Sequence, residues 1–131
     1  LKRVHVEEDV FLAIRYYEMR ILDLVGFRPQ LFICVECGET IQAEEQYFSA
    51  EKGGVLCPKC GPGATATRPV SVETLKYLRH LQRSTYKEAK RAHLSITTQR
   101  EMENLLQYYL TYLLERNLNS PEFLKRVRQT M

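Results

Sequence analysis

A mainly α fold, a helical domain with a small antiparallel β ribbon inserted in it, is predicted by three features of the sequence. Apolar residues recur at spacings of three and four in long segments on both sides of the chain's middle. Four cysteines fall between those segments as two Cys-x-x-Cys pairs, and short alternating runs with most of the glycine surround them. The organisation read from this is a first helical part over residues 1–30, a ribbon over 31–63 and a second helical part over 64–131. At 131 residues, 44% hydrophobic and 27% charged, the chain has the size and composition of one ordinary globular domain and is too apolar for disorder.

The first helix is expected from about Glu7 to Val25. Val10, Phe11, Ile14, Tyr17, Ile21, Leu22 and Val25 follow the helical period and predict one buried stripe. Glu7, Glu8 and Asp9 suit the positive end of its dipole, Gly26 offers a left-handed stop and Pro29 forbids resumption. Tyr47-Phe48-Ser49 and Val55-Leu56 flank a glycine-containing turn and predict a hairpin. Residues 61–69 read as a linker by composition. Helices resume after Ser71, a suitable N-cap, with Val72, Leu75, Leu78 and Leu81 as the apolar face.

Thr85 to Glu88 and Thr98 to Glu101 both have capping-box spacing, the second opening a helix that carries Met102, Leu105, Leu106, Tyr109, Leu110, Leu113 and Leu114 to about Asn117. Ser120-Pro121 reads as cap and first position of a terminal helix with Phe123, Leu124 and Val127.

No stretch approaches the roughly 20 apolar residues that span a bilayer, and the opening residues lack the apolar run of a signal peptide. A soluble intracellular protein is the default reading, and a first residue Leu1 reads as a piece of a longer chain. The net charge of +3 is small but unevenly placed. Residues 36–51 carry five glutamates and no base, whereas Lys76, Arg79, Arg83, Lys87, Lys90 and Arg91 face Glu88 alone between residues 76 and 93. A polyanion would dock on the second stretch. Lys76, Arg79, Arg83, Lys87 and Lys90 step by three or four, so a continuous helix would set them on one side as a DNA-binding stripe or as a solvated face.

Cys34-Val35-Glu36-Cys37-Gly38 and Cys57-Pro58-Lys59-Cys60-Gly61 carry the clearest chemistry. Each pair can aim two thiolates at one ion from a tight turn, with a following glycine that lets backbone amides approach the sulfurs. Cys34, Cys37, Cys57 and Cys60 are therefore expected to hold one structural zinc in a closed site without an open position for substrate. Two disulfides would use the same residues without any mark of secretion, and four sulfurs alone do not separate zinc from iron. His5, His80 and His93 are scattered, and neither a phosphate loop nor a nucleophile elbow appears. Most of the eight tyrosines sit at or near core spacing, while Tyr16, Tyr77 and Tyr86 lie nearer to bases.

With these residues in place, the chain resembles the RecO family of bacterial recombination-mediator proteins. The resemblance runs from Tyr17-Glu18-Met19-Arg20-Ile21-Leu22 through Leu24-Val25-Gly26-Phe27-Arg28-Pro29, the first knuckle, Tyr47-Phe48-Ser49 and Gly53-Gly54-Val55-Leu56. It continues over the second knuckle and ends in Asn117-Leu118-Asn119-Ser120-Pro121-Glu122-Phe123-Leu124. It implies the carboxy-terminal region of such a protein, a helical domain with an inserted zinc ribbon. The family's amino-terminal DNA-binding OB-fold has no counterpart in these residues. It also implies a bacterial cytoplasmic, nucleoid-associated, non-enzymatic role: binding DNA, RecR and single-strand-binding protein (SSB) to help load RecA and anneal strands.

The family's typical SSB tail is acidic and ends in a phenylalanine carboxylate, which calls for an apolar slot beside an arginine fork. Arg15, Tyr16 and Arg20 are the partner-binding candidates, with internal pairing to Glu18 or Asp23 as the structural alternative. A different class of reading is a zinc-ribbon accessory domain of a nucleic-acid enzyme.

Overall fold

The computed structural model describes residues 2–89, 93–117 and 121–130. Among them α1 (Lys2–Leu24) is followed by strands β1 (Gln46–Ser49), β2 (Gly54–Leu56) and β3 (Thr67–Val70), and then by α2 (Val72–Arg83), α3 (Tyr86–Ala89), α4 (Ile96–Asn117) and α5 (Pro121–Thr130). This is the mainly α architecture with a small antiparallel β ribbon that the sequence predicts.

α1 begins earlier than expected, so Glu7, Glu8 and Asp9 lie beyond its first turn. It stops at Gly26, whose φ of +89° is the left-handed conformation that glycine adopts without steric cost. The buried face of α1 is also rotated from the predicted stripe. Leu12, Arg15, Met19 and Leu22 are buried, whereas Val10, Ile14, Tyr17 and Ile21 are about half exposed. The helix carries two apolar stripes, and α2, α3 and α4 pack against it. Periodicity detects both stripes without saying which one its neighbours cover.

β1 is the central strand, paired antiparallel with β2 (Phe48 opposite Val55) and with β3 (Phe48 opposite Arg68). The hairpin matches the sequence reading, but residues 61–69 are not wholly a linker, because they end in β3. A central strand needs hydrogen-bond partners on both sides, and β3 supplies the second set despite containing Pro69, which an edge strand tolerates.

Ser71 caps α2 by accepting from the Thr74 amide at 3.2 Å. Thr85 does the same for α3, accepting from Glu88 at 3.2 Å. The cap of α4 is Ser95, whose Oγ accepts from the Thr98 amide at 3.1 Å, and not Thr98 as its capping-box spacing implies. Glu101 is thereby released and reaches across to Ser71, accepting from its backbone N–H at 2.6 Å and its hydroxyl at 2.8 Å. Ser120, the predicted cap of α5, lies outside the described residues.

One apolar cluster joins helices and ribbon. Leu12 and Leu22 of α1, Leu31, Phe48, Val55 and Leu56 of the ribbon, Leu75, Leu78 and Leu81 of α2, and Met102, Leu106 and Tyr109 of α4 all belong to it. The Phe48 and Tyr109 rings meet edge to face with centroids 5.2 Å apart. Polar bonds reinforce the junction: Gln82 donates to the Pro29 carbonyl at 2.8 Å, Arg79 to that of Leu31 at 2.8 Å, and the Tyr109 hydroxyl to that of Phe27 at 2.8 Å.

Candidate metal centre and basic face

The two knuckles come together through backbone geometry before any ion is considered. In the first, Cys34 N–H donates to the Glu39 carbonyl and Gly38 N–H to that of Cys34; in the second, Gly61 N–H donates to that of Cys57. The two glycines that follow the pairs serve different ends. Gly38 has φ +79° and open space around it, while Gly61 leaves room for the Tyr47 ring, which a Cβ would approach to 2.0 Å.

The Sγ atoms of Cys34, Cys37, Cys57 and Cys60 all lie within 4.8 Å of one another, and none of the four cysteines is in a disulfide. Cys37 and Cys57 Sγ are 3.8 Å apart, the separation of about 3.8 Å that a tetrahedron with metal–sulfur bonds of about 2.3 Å requires. The Cys57 amide donates to Cys34 Sγ at 3.4 Å, linking the knuckles through the sulfur itself.

The electrostatics point the same way. Burial pushes the Cys34 thiol up, but amides of Cys37, Cys57 and Glu36 directed at its sulfur outweigh that and hold it down at about 6. Hydrogen bonding with Cys57, then burial and the other sulfurs, pushes the Cys60 thiol up to about 12. Four sulfurs this close ionise together only when a cation sits among them. The donor set therefore fits a metal ion, and its four ligands close the coordination shell. His80 instead meets the Ser84 hydroxyl at 3.1 Å, within α2 and its cap.

The basic residues divide between two helices. Ser84 is extended (φ −91°, ψ 157°) and ends α2, so Lys76, Arg79 and Arg83 share α2 whereas Lys87 belongs to α3. Lys90 lies outside the described residues. Lys76, Arg83 and Lys87 are exposed. Arg79 is partly buried by its bond to Leu31, and burial together with the neighbouring Arg83 charge lowers its pKa.

Phe32, which the sequence reading passed over, organises this face. The Arg79 and Arg83 guanidinium carbons lie 4.9 and 4.0 Å from its ring centroid. Its position two residues before Cys34 is legible, but no local pattern ties it to a helix some fifty residues away.

Arg15 is 8% exposed and pairs with Glu18 and, at 3.8 Å, with Glu103, so its charge is met within the chain. Arg20 lies 5.2 Å from the Tyr16 ring centroid, donates to the Gln82 and Ser84 carbonyls at 3.0 and 3.3 Å, and stands 3.7 Å from Asp23. Tyr16, Tyr17 and Tyr86 form an aromatic group beside it, the last two with near-parallel rings at 5.8 Å.

Comparison with known proteins gives a consistent result. The model of the family described as "Recombination protein O C terminal" matches residues 1–122. A protein named DNA repair protein RecO from Roseiflexus sp. (strain RS-1) is 36% identical over 131 residues, which is 100% of this chain and 46% of that protein. The protein of the same name from Dehalococcoides mccartyi (strain BAV1) is 32% identical over 105 residues, 80% of this chain and 41% of the relative. That from Symbiobacterium thermophilum is 33% identical over 124 residues, 93% and 49% of the two chains. The chain thus spans less than half the length of the curated relatives it matches. No solved structure matches it. No helix among the described residues is long and apolar enough to cross a membrane.

Proposed function

As the chain belongs to the RecO family and matches its carboxy-terminal region, we propose that it is the zinc-stapled scaffold of a non-enzymatic recombination mediator acting in the bacterial cytoplasm. In this reading it binds DNA, RecR and SSB and thereby supports RecA loading and strand annealing. The observation that carries the DNA part is that Lys76 and Arg83 are exposed on α2, with the Arg79 and Arg83 guanidiniums both over the Phe32 ring. Phosphate contacts from such a face release counterions and are indifferent to sequence.

A single zinc in the four-cysteine site is the favoured ion, because tetrahedral four-thiolate coordination is its common structural mode. For the SSB tail, Tyr16 and Arg20 with the neighbouring Tyr17 and Tyr86 offer apolar rings beside a cation that is 34% exposed. Arg15 would need to release Glu18 before it could take part.

The test is oligonucleotide binding by fluorescence anisotropy across a salt series, with metal analysis of the same sample. About one zinc per chain is expected, with binding that weakens steeply as salt rises. Lys76→Glu, Arg83→Glu and Lys87→Glu together should flatten the salt slope by about three charges, leaving Arg79 and its bond to Leu31 in place. A triple variant with the parent's affinity and slope would remove the α2 face from DNA binding. Retention of RecR and SSB on the immobilised chain tests the partner reading, and failure to retain either would reject it.

A further inference from the structure

α4 has a second outward face, apart from the α2 stripe, and aromatic rings on it are paired with cations. Tyr108 and Tyr112 stand four residues apart on α4, so one turn separates them. Arg68 of β3 lies 4.7 Å from the Tyr108 ring centroid, and Arg116, a further turn along α4, lies 5.5 Å from that of Tyr112. Both arginines are exposed, and neither is ion-paired among the described residues. The Tyr108 hydroxyl donates to the Ala66 carbonyl, which fixes that ring against the loop entering β3.

Two grooves meet at Tyr112. One, of about 400 Å³, runs past Arg68, Asn104, Gln107 and Tyr108; the other, of about 460 Å³, is lined by Arg116 together with Arg28 and Lys52, which stand 3.4 Å from Asp23 and 2.7 Å from Glu36. Glu115 lines the first groove and Glu51 the second.

We propose that this face of α4 is a track for one unpaired nucleic-acid strand, whose bases stack on the Arg68–Tyr108 and Tyr112–Arg116 pairs. The proposal rests on the reading that the chain binds DNA, and adds a place and a strand state that the α2 face does not supply. An arginine beside an aromatic ring can offer its N–H edges to phosphate while its planar head and the ring both present stacking surface to a base. The step along α4 is about 5.4 Å per turn, longer than the roughly 3.4 Å between stacked bases in one strand of a duplex. It therefore suits bases that are splayed apart, whose π faces a duplex would hide. Asn104 and Gln107 present uncharged donors and acceptors to base edges. Glu51 and Glu115, with Asp23 and Glu36 at Arg28 and Lys52, offset part of the positive charge, so stacking carries more of the binding here than on α2.

The experiment follows a deoxythymidine oligonucleotide containing one 2-aminopurine, whose fluorescence changes when the base stacks. The parent, the double variant Arg68→Ala and Tyr112→Leu, the single variants Arg116→Gln and Tyr112→Phe, and the α2 triple variant are compared, with circular dichroism and melting as controls for folding. The double variant should bind roughly tenfold or more weakly and lose the stacking signal. Arg116→Gln, at an exposed position, should weaken binding severalfold, and Tyr112→Phe, which keeps the ring, should restore the stacking signal that the leucine removes. The α2 triple variant should show a shallower salt slope yet keep the stacking signal.

Parental affinity and signal in the double variant and in Arg116→Gln would overturn the track while leaving DNA binding by α2 intact. If duplex and single strand lose affinity equally in the double variant, charge and not stacking is responsible, and the track is again overturned. No binding of the oligonucleotide by the parent overturns both the track and the DNA part of the function.

Discussion

At the scale of single residues, Gly61 and Tyr109 make the sharpest tests. A methyl group on Gly61 would meet the Tyr47 ring at 2.0 Å, far inside van der Waals contact, and the ring packs against the core. Gly61→Ala should therefore cost about 1–3 kcal/mol, as overpacking does, and lower the melting temperature without removing any sulfur ligand. Unchanged melting would mean that Tyr47 moves aside freely. Both glycines after the cysteine pairs were legible as a motif, but only contacts reveal that one supplies a positive φ and the other a gap for a ring from β1.

Burial pushes the Tyr109 hydroxyl up to about 12, whereas an unfolded tyrosine ionises near about 10. Between those values the unfolded chain loses its proton while the folded chain keeps it. Stability from this residue is thus whole below about pH 10 and falls as pH rises, by at most about 1.4 kcal/mol per unit. Denaturant melts at pH 9 to 11 should show that fall, and Tyr109→Phe should abolish this contribution while costing about 1 kcal/mol for the lost bond to Phe27. An identical pH slope in the variant would assign the effect elsewhere.

At the scale of elements, the cap of α4 explains what its sequence hides. Ser95 and Thr98 are both good caps, and spacing favoured Thr98 because Glu101 follows it by three. Ser95 captures the Thr98 amide, and Glu101 turns outward to hold Ser71 at the start of α2. A bond between residues 71 and 101 has no local signature, so periodicity located both helices but not the tie between them. Glu101→Ala should cost about 1.5–3 kcal/mol, the range for hydrogen bonds to a charged group, and should speed amide exchange at the start of α2. Exchange there at the parent's rate would refute the tie.

The same limit governs α1. Its existence and its stop at Gly26 are legible, but its buried face is set by α2, α3 and α4, and the sequence alone left two apolar stripes to choose from.

At the scale of the whole molecule, the four-cysteine cluster was the most legible feature, since all four cysteines and their spacing lie in two short motifs. The ribbon's integration was the least legible. Leu31, Phe48, Val55 and Leu56 share one core with α1, α2 and α4, so the ribbon is not a detachable satellite. Chelator treatment of protein loaded with zinc should consequently lower the melting temperature of the helical signal itself, in one cooperative transition. A ribbon that melts separately, with the helical transition unmoved, would contradict the shared core.

The pairing of distant segments has a further consequence during synthesis. The carbonyl of Phe27 awaits the hydroxyl of Tyr109, 82 residues later, and translation proceeds at about 5–20 residues per second. The end of α1 therefore leaves the ribosome roughly 4 to 16 seconds before the α4 residue that closes over it. For that interval Leu22 lacks the α4 members of its apolar cluster. A nascent chain stalled before α4 should be the species most readily captured by a holdase chaperone or cut by a protease.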